Sequence, residues 1–168
     1  MLTLILHNIR SVHNVGSIFR TADAAGVSKI ILSGYTPMPL DRFGRERKDF
    51  VKVSLGAEQS VPWAHVKRPA SALTKLKKEG YTLAALEQDK NSTPLFAYKS
   101  INKKIALIVG NEVRGVSPAL LKKVDAILEI PMRGAMVRQA HHPRNNKRGK
   151  ESLNVSVAAG IALFALLR

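Results

Sequence analysis

The chain is 168 residues long, the length of one domain with a full core, and its 45% hydrophobic and 23% charged residues are ordinary for a water-soluble globular protein. Lys and Arg outnumber Asp and Glu by 27 to 12. The resulting charge of +15 points to a polyanionic partner, most simply nucleic acid, with a merely basic protein as the other reading. The lack of cysteine excludes disulfides and thiolate metal sites and suits a reducing, cytoplasmic setting.

Strand-like and helix-like segments alternate along the chain. Residues 2–9 read as a strand, without the basic leader and cleavage site of a signal peptide, and no apolar run reaches membrane-spanning length. Residues 15–25 read as a helix ended by Gly26, and Lys29–Ser33 as a short strand closed by Gly34. Residues 35–60 are less regular, with a basic cluster of Arg42, Arg45, Arg47, Lys48 and Lys52 and a turn of helix over 49–55. A strand over Trp63–Val66 precedes an amphipathic helix over 70–79 ended by Gly80. A strand follows over 81–86, then a polar loop to about Thr93. Ile105–Val109 is the clearest buried strand. Ser117 with Pro118 opens a helix, residues 126–130 form the last strand, and the final helix starts near Ser152. This alternation predicts an α/β fold, a mainly parallel sheet with helices on both faces, as a single domain over residues 1–168.

Residues 135–149, AMVRQAHHPRNNKRG, look inserted. Arg133-Gly134 precedes them, the same pair recurs at Arg148-Gly149, and excision rejoins the flanks as IPMRG-KESLNVS. The segment is polar, contains Pro143 and has no apolar periodicity, as expected of a loop between a strand and a helix.

Three constellations carry chemistry. Asn14-Val-Gly16-Ser-Ile-Phe-Arg20-Thr-Ala-Asp23 lies at a strand-to-helix junction, where Asn14 fits a helix cap and Gly16 a close backbone approach. By itself it is a capped helix with a surface arginine. Ile108-Val-Gly110-Asn-Glu112-Val-Arg114-Gly115-Val-Ser117 nearly spells a phosphate-binding loop, but Val116 stands where that loop needs lysine, so an NTPase is set aside. A glycine-rich turn leaving a buried strand remains, with Glu112 either a candidate acid or acceptor or a solvated turn residue. Ile130-Pro131-Met132-Arg-Gly134 followed by Ser152-Leu-Asn154-Val-Ser156 reads as a helix start with polar groups in its first turn, a plain cap or a set of donors aimed at a ligand.

Together, in this order, the three motifs resemble those of the SpoU/TrmH family of SPOUT RNA 2′-O-ribose methyltransferases, over nearly the whole chain apart from 135–149. Gly56-Ala57-Glu58 and the strand end at residues 83–88 fit the same pattern. The resemblance implies a SPOUT-type fold with a C-terminal trefoil knot, a homodimer, and S-adenosyl-L-methionine as cofactor. It implies that the cofactor lies against Leu86, Glu87, Val109, Gly110, Ile130, Pro131, Met132, Ser152 and Leu153. By the same resemblance Arg20 is the catalytic arginine, with Asn14, Glu112, Ser152 and Asn154 orienting it and the ribose. A guanidinium holds its proton too strongly to be a good base, so Arg20 is expected to bind the neighbouring phosphate and stabilise the developing alkoxide. A sulfonium methyl is already electrophilic, so no metal is expected, and His7, His13, His65, His141 and His142 are scattered. The expected substrate is tRNA or rRNA. Larger family members carry a separate N-terminal RNA-binding domain, whereas this chain opens directly on the catalytic pattern. Its RNA contacts are therefore expected from Arg42, Arg45, Arg47, Lys48 and Lys52, assisted by Lys103-Lys104 or Lys122-Lys123. The alternative is an RNA-binding module of the same fold that has lost catalysis through the 135–149 insertion. A structural ribosome-associated protein is a third reading, supported by charge alone.

Overall fold

The run LTLILH forms strand β1 (Leu2–His7). Leu2, Leu4 and Leu6 enter one core layer while Ile5 enters the other, as a strand covered on both faces requires. In this computed structural model residues 1–100, 103–132 and 152–168 are described. The expected insertion, 135–149, lies outside the described residues, as does the chain path on which the expected knot depends.

Strands β2 (Lys29–Ser33), β3 (Trp63–Val66), β4 (Thr82–Leu86), β5 (Thr93–Pro94), β6 (Ile105–Val109) and β7 (Ala126–Glu129) join β1 in one sheet. Its order is β3-β2-β1-β6-β4-β7-β5, and every pairing is parallel. All strand C-termini therefore share one edge, where ligands of open α/β sheets gather. The α/β expectation holds, and β2, β3 and β6 have the predicted bounds. The two-residue β5 falls where a polar loop was expected. It is too short to show a period and is exposed at the sheet margin.

Helices α1 (Val12–Ala25), α2 (Lys48–Ser54), α3 (Ala57–Ser60) and α6 (Val155–Leu167) cover one face. Helices α4 (Pro69–Lys78) and α5 (Pro118–Leu121) cover the other. Gly16 lets α2 settle on α1, since a Cβ there would lie 3.0 Å from Val53 Cβ and 3.3 Å from the Phe50 carbonyl oxygen. Phe19 and Phe50 meet edge to face, with centroids 5.2 Å apart, and lock the pair.

One capping expectation needs correction, and a second is met in position. The cap of α1 is Ser11, whose hydroxyl accepts from the Asn14 N–H at 3.2 Å; Asn14 lies inside the first turn, and its side chain serves a longer-range contact. The helix thus starts three residues earlier than its apolar pattern suggests, because the serine three residues before Asn14 satisfies an N–H that would otherwise be orphaned. Ser117 does occupy the cap position of α5, but its side chain makes no capping hydrogen bond.

Candidate functional site

The C-terminal ends of β4, β6 and β7, with the start of α6, enclose a cleft. Leu86, Glu87 and Gln88 leave β4; Val109, Gly110, Asn111, Glu112, Val113 and Gly115 leave β6. Glu129, Ile130 and Met132 follow β7, and Ser152, Leu153, Val155 and Ala158 close the wall. Of the nine residues expected to hold a cofactor, Pro131 alone does not line this cleft. Three carboxylates, Glu87, Glu112 and Glu129, line it together with Leu86, Val109, Ile130 and Leu153. No lysine or arginine among the described residues does so, against 27 in the chain.

The loop after β6 is folded tightly. Asn111 and Gly115 bridge through paired backbone hydrogen bonds of 3.2 and 2.9 Å. The Asn111 side chain accepts from the Val113 and Arg114 N–H groups and donates to the Asn8 carbonyl and the Tyr35 hydroxyl. The Glu87 carboxylate accepts from the Val116 N–H at 2.6 Å and the Gln88 N–H at 3.0 Å, binding this loop to the end of β4. Sequence reasoning assigned Glu87 to the cleft and overlooked Asn111 and Asn8. The clue was an asparagine directly after Gly110, a residue type that ties a turn through its own side chain.

Glu112 joins two of the motifs. Its carboxylate accepts from the Arg10 N–H at 3.1 and 3.2 Å, the Ser11 N–H at 3.2 Å and Asn14 Nδ2 at 3.1 Å. These groups sit at the N-terminus of α1, where the helix dipole favours an anion. Burial pushes the Glu112 carboxyl up, but the N–H donors of Arg10, Glu112 itself, Asn14 and Ser11 outweigh it and hold it below the ordinary value. It is therefore an ionised acceptor at neutral pH rather than an acid. The third motif joins from α6: Asn154 Nδ2 donates to Asn14 Oδ1 at 3.2 Å, while Asn154 Oδ1 caps α6 by accepting from the Ser156 N–H at 2.8 Å. The structure thus makes Asn154 both cap and link.

The other expected residues are more dispersed. Ser152 lines the cleft and is exposed. Arg20 is exposed on α1, outside the cleft lining, with no hydrogen bond or ion pair among the described residues. It lies six residues beyond Asn14, about 9 Å along the helix axis. The basic cluster is divided. Arg45 pairs with Asp41 at 2.9 Å and Arg47 with Asp49 at 2.8 Å, while Arg42, Lys48 and Lys52 are exposed.

The comparisons with known proteins agree with this geometry. The family model of the SpoU rRNA methylase family matches residues 1–137, and the chain belongs to that family. It is 34% identical over 165 residues to an uncharacterized tRNA/rRNA methyltransferase of Archaeoglobus fulgidus, covering 98% of this chain and 63% of the relative. It is 32% identical to the 23S rRNA (guanosine-2′-O-)-methyltransferase RlmB of Escherichia coli, covering 98% of this chain and 59% of that protein. Among solved structures, an AdoMet-bound rRNA methyltransferase from Sinorhizobium meliloti superposes with a TM-score of 0.78 at 27% identity, over 98% of this chain and 54% of that one. The TrmH/SpoU tRNA modifying enzyme of A. aeolicus superposes with a TM-score of 0.78 at 28% identity, over 99% of this chain and 73% of that one. The chain therefore spans only about 60% of the length of these curated relatives.

Proposed function

We propose that the chain is an S-adenosyl-L-methionine-dependent methyltransferase acting on a ribose 2′-hydroxyl of tRNA or rRNA. The observation that carries this reading is the cleft's charge. A strongly basic protein lines it with Glu87, Glu112 and Glu129 and with apolar side chains, and with no basic residue among those described. These carboxylates and apolar side chains suit a cationic ligand with a flat apolar ring. When bound, S-adenosyl-L-methionine supplies a methyl group made electrophilic by its sulfonium.

Leu86, Val109, Ile130, Met132 and Leu153 would hold the adenosine, and the exposed strand-end backbone would read its polar edges. Glu112, Asn14 and Asn154 form one hydrogen-bonded chain that fixes the start of α1 and of α6 beside the cleft. This chain positions the ribose and aligns the 2′-oxygen with the methyl carbon. Arg20 grips the neighbouring phosphate and stabilises the negative charge left on that oxygen as its proton passes to water. The names of the relatives support an RNA substrate, and the match to RlmB supports a ribose 2′-oxygen as acceptor. A module that has lost catalysis has no observation in its favour, because Asn14, Glu112 and Asn154 still form a connected network. The similarity to knotted SPOUT enzymes, which the motifs imply, likewise supports the C-terminal trefoil knot as part of this proposal.

Incubating the protein with methyl-labelled cofactor and total RNA should place the label in nucleotides that resist alkaline cleavage, the mark of a blocked 2′-oxygen. EDTA should leave the rate unchanged. Label on a base, or none with either tRNA or rRNA, would refute the proposal; abolition by EDTA would refute the metal-free chemistry.

The proposed homodimer is supported by α6. Val157 and Phe164 are 51% and 56% exposed, and with the partly buried Ile161 they follow the i, i+4, i+7 spacing of one helix face. Covering the exposed half of Val157 and of Phe164 against a second copy is worth about 1 kcal/mol each. Light scattering at micromolar concentration should give twice the chain mass, and the double variant Val157→Lys, Phe164→Lys should give the single mass while remaining folded. A wild-type monomer would contradict the dimer.

A further inference from the structure

The segment between β2 and α2 carries a surface feature that the cofactor cleft does not use. Residues 41–45 make a tight turn: the Asp41 N–H donates to the Arg45 carbonyl at 2.8 Å, and Gly44 closes the turn at φ +77. The Asp41 carboxylate accepts from the N–H groups of Phe43 at 2.8 Å and Arg45 at 3.0 Å, and from Arg45 Nε at 2.9 Å. The Arg45 N–H, then the Phe43 N–H and the Arg45 side chain, hold this carboxyl below the usual carboxylate range despite some opposing desolvation. At the base of the turn Leu40 bridges to Glu46, and Glu46 accepts from Gln59 Nε2 on α3. The turn is thus fastened to the body of the protein, yet its tip, Phe43, is 65% exposed. The guanidinium carbons of Arg42 and Arg45 lie 4.7 and 5.0 Å from the Phe43 ring centroid.

An aromatic side chain held out in solvent with two guanidiniums over its ring presents an exposed stack of flat π groups and, because Arg45 is paired with Asp41, one cation, Arg42, without an ion-pair partner among the described residues. That combination matches an unpaired nucleobase with its phosphates: bases stack on aromatic rings and guanidinium planes, and the cation binds the backbone. A membrane or an acidic protein surface would use the charge but not the flat face.

We propose that Phe43, flanked by Arg42 and Arg45, is a stacking platform for an unpaired base of the RNA substrate. This rests on the reading of the chain as an RNA-acting enzyme. Asp41 is the positioning residue that holds the turn. The test measures binding of the full chain to a labelled single-stranded adenylate decamer, a ten-base-pair RNA duplex and unfractionated tRNA. Phe43→Ala and Phe43→Leu should each weaken decamer binding by about 10- to 100-fold. They should leave duplex binding and the salt dependence of decamer binding unchanged, while Phe43→Trp keeps wild-type affinity. Arg42→Ala should instead flatten the salt dependence by about one phosphate contact. Wild-type decamer affinity in Phe43→Ala, equal losses on decamer and duplex, or full affinity in Phe43→Leu would overturn the stacking role while RNA binding itself stands. Failure of the wild-type protein to bind any of the three RNAs would overturn the RNA reading and this inference together.

Discussion

Replacing Arg20 by alanine is expected to reduce methyl transfer on the order of 10²- to 10³-fold, the usual cost of removing a group that stabilises developing negative charge. The fold should not change. Helix α1 is held by Val15, Ile18, Phe19 and Ala22, all fully buried, whereas Arg20 is exposed and makes no hydrogen bond or ion pair among the described residues. A surface substitution of this kind shifts stability by about 0.5 kcal/mol or less. Cofactor affinity should also survive, because no residue of α1 lines the cleft. Arg20→Lys should recover little activity, since lysine keeps the charge but lacks the planar fork that grips a phosphate. Calorimetry with the cofactor and single-turnover methylation separate these effects. A loss of cofactor binding parallel to the loss of rate, or full activity in Arg20→Ala, would remove Arg20 from the proposed role.

The expected separation of the two phenotypes follows from how the site is built. Arg20 and Asn14 share one helix, but only Asn14 reaches the Glu112–Asn154 network, so of these two one is anchored and the other, among the described residues, is not. Sequence spacing put Arg20 in a helix and Asn14 at its cap; it could not show which one is tethered. The tether is made by contacts across 98 and 140 residues of chain, and no local pattern encodes those. The apolar strands were legible for the opposite reason. Ile105–Val109 is buried at every position, and a five-residue apolar run between lysine and glycine admits few other readings. Helix boundaries were legible wherever a glycine ended them, as at Gly26, but the start of α1 was misplaced because Asn14 and Ser11 are both good caps. The basic cluster was legible as charge. Its division into two ion pairs and an arginine-flanked phenylalanine depends on Asp41 and Asp49, whose partners only the folded turn identifies.

Gly110→Ala is expected to abolish cofactor binding together with activity, the reverse of the Arg20 phenotype. A Cβ at position 110 would lie 2.4 Å from the Gly115 carbonyl carbon and 2.5 Å from the Gly115 oxygen and the Val116 nitrogen. All three are backbone atoms, so no rotamer change relieves the clash and the loop must move. It cannot move freely, because Asn111 and Gly115 are bridged, and Glu87 pins the Val116 N–H from the side. Opening the loop by about 1 Å, enough to restore ordinary contact, would break the Glu87 bond and shift Glu112 away from Asn14. Overpacking of this kind costs about 1–3 kcal/mol of stability. The displaced backbone is itself a cleft wall, so cofactor affinity should fall by about 100-fold or more, the equivalent of roughly 2.7 kcal/mol. Gly26→Ala is the control. Gly26 has positive φ, at +74, but a Cβ there meets nothing within 4 Å. It should lose about 1–2 kcal/mol from backbone strain alone and bind cofactor normally. Thermal melts and calorimetry on the two variants distinguish lost stability from a lost site. Wild-type cofactor affinity in Gly110→Ala would mean that the cofactor does not sit against the loop after β6, and that the cleft has another occupant.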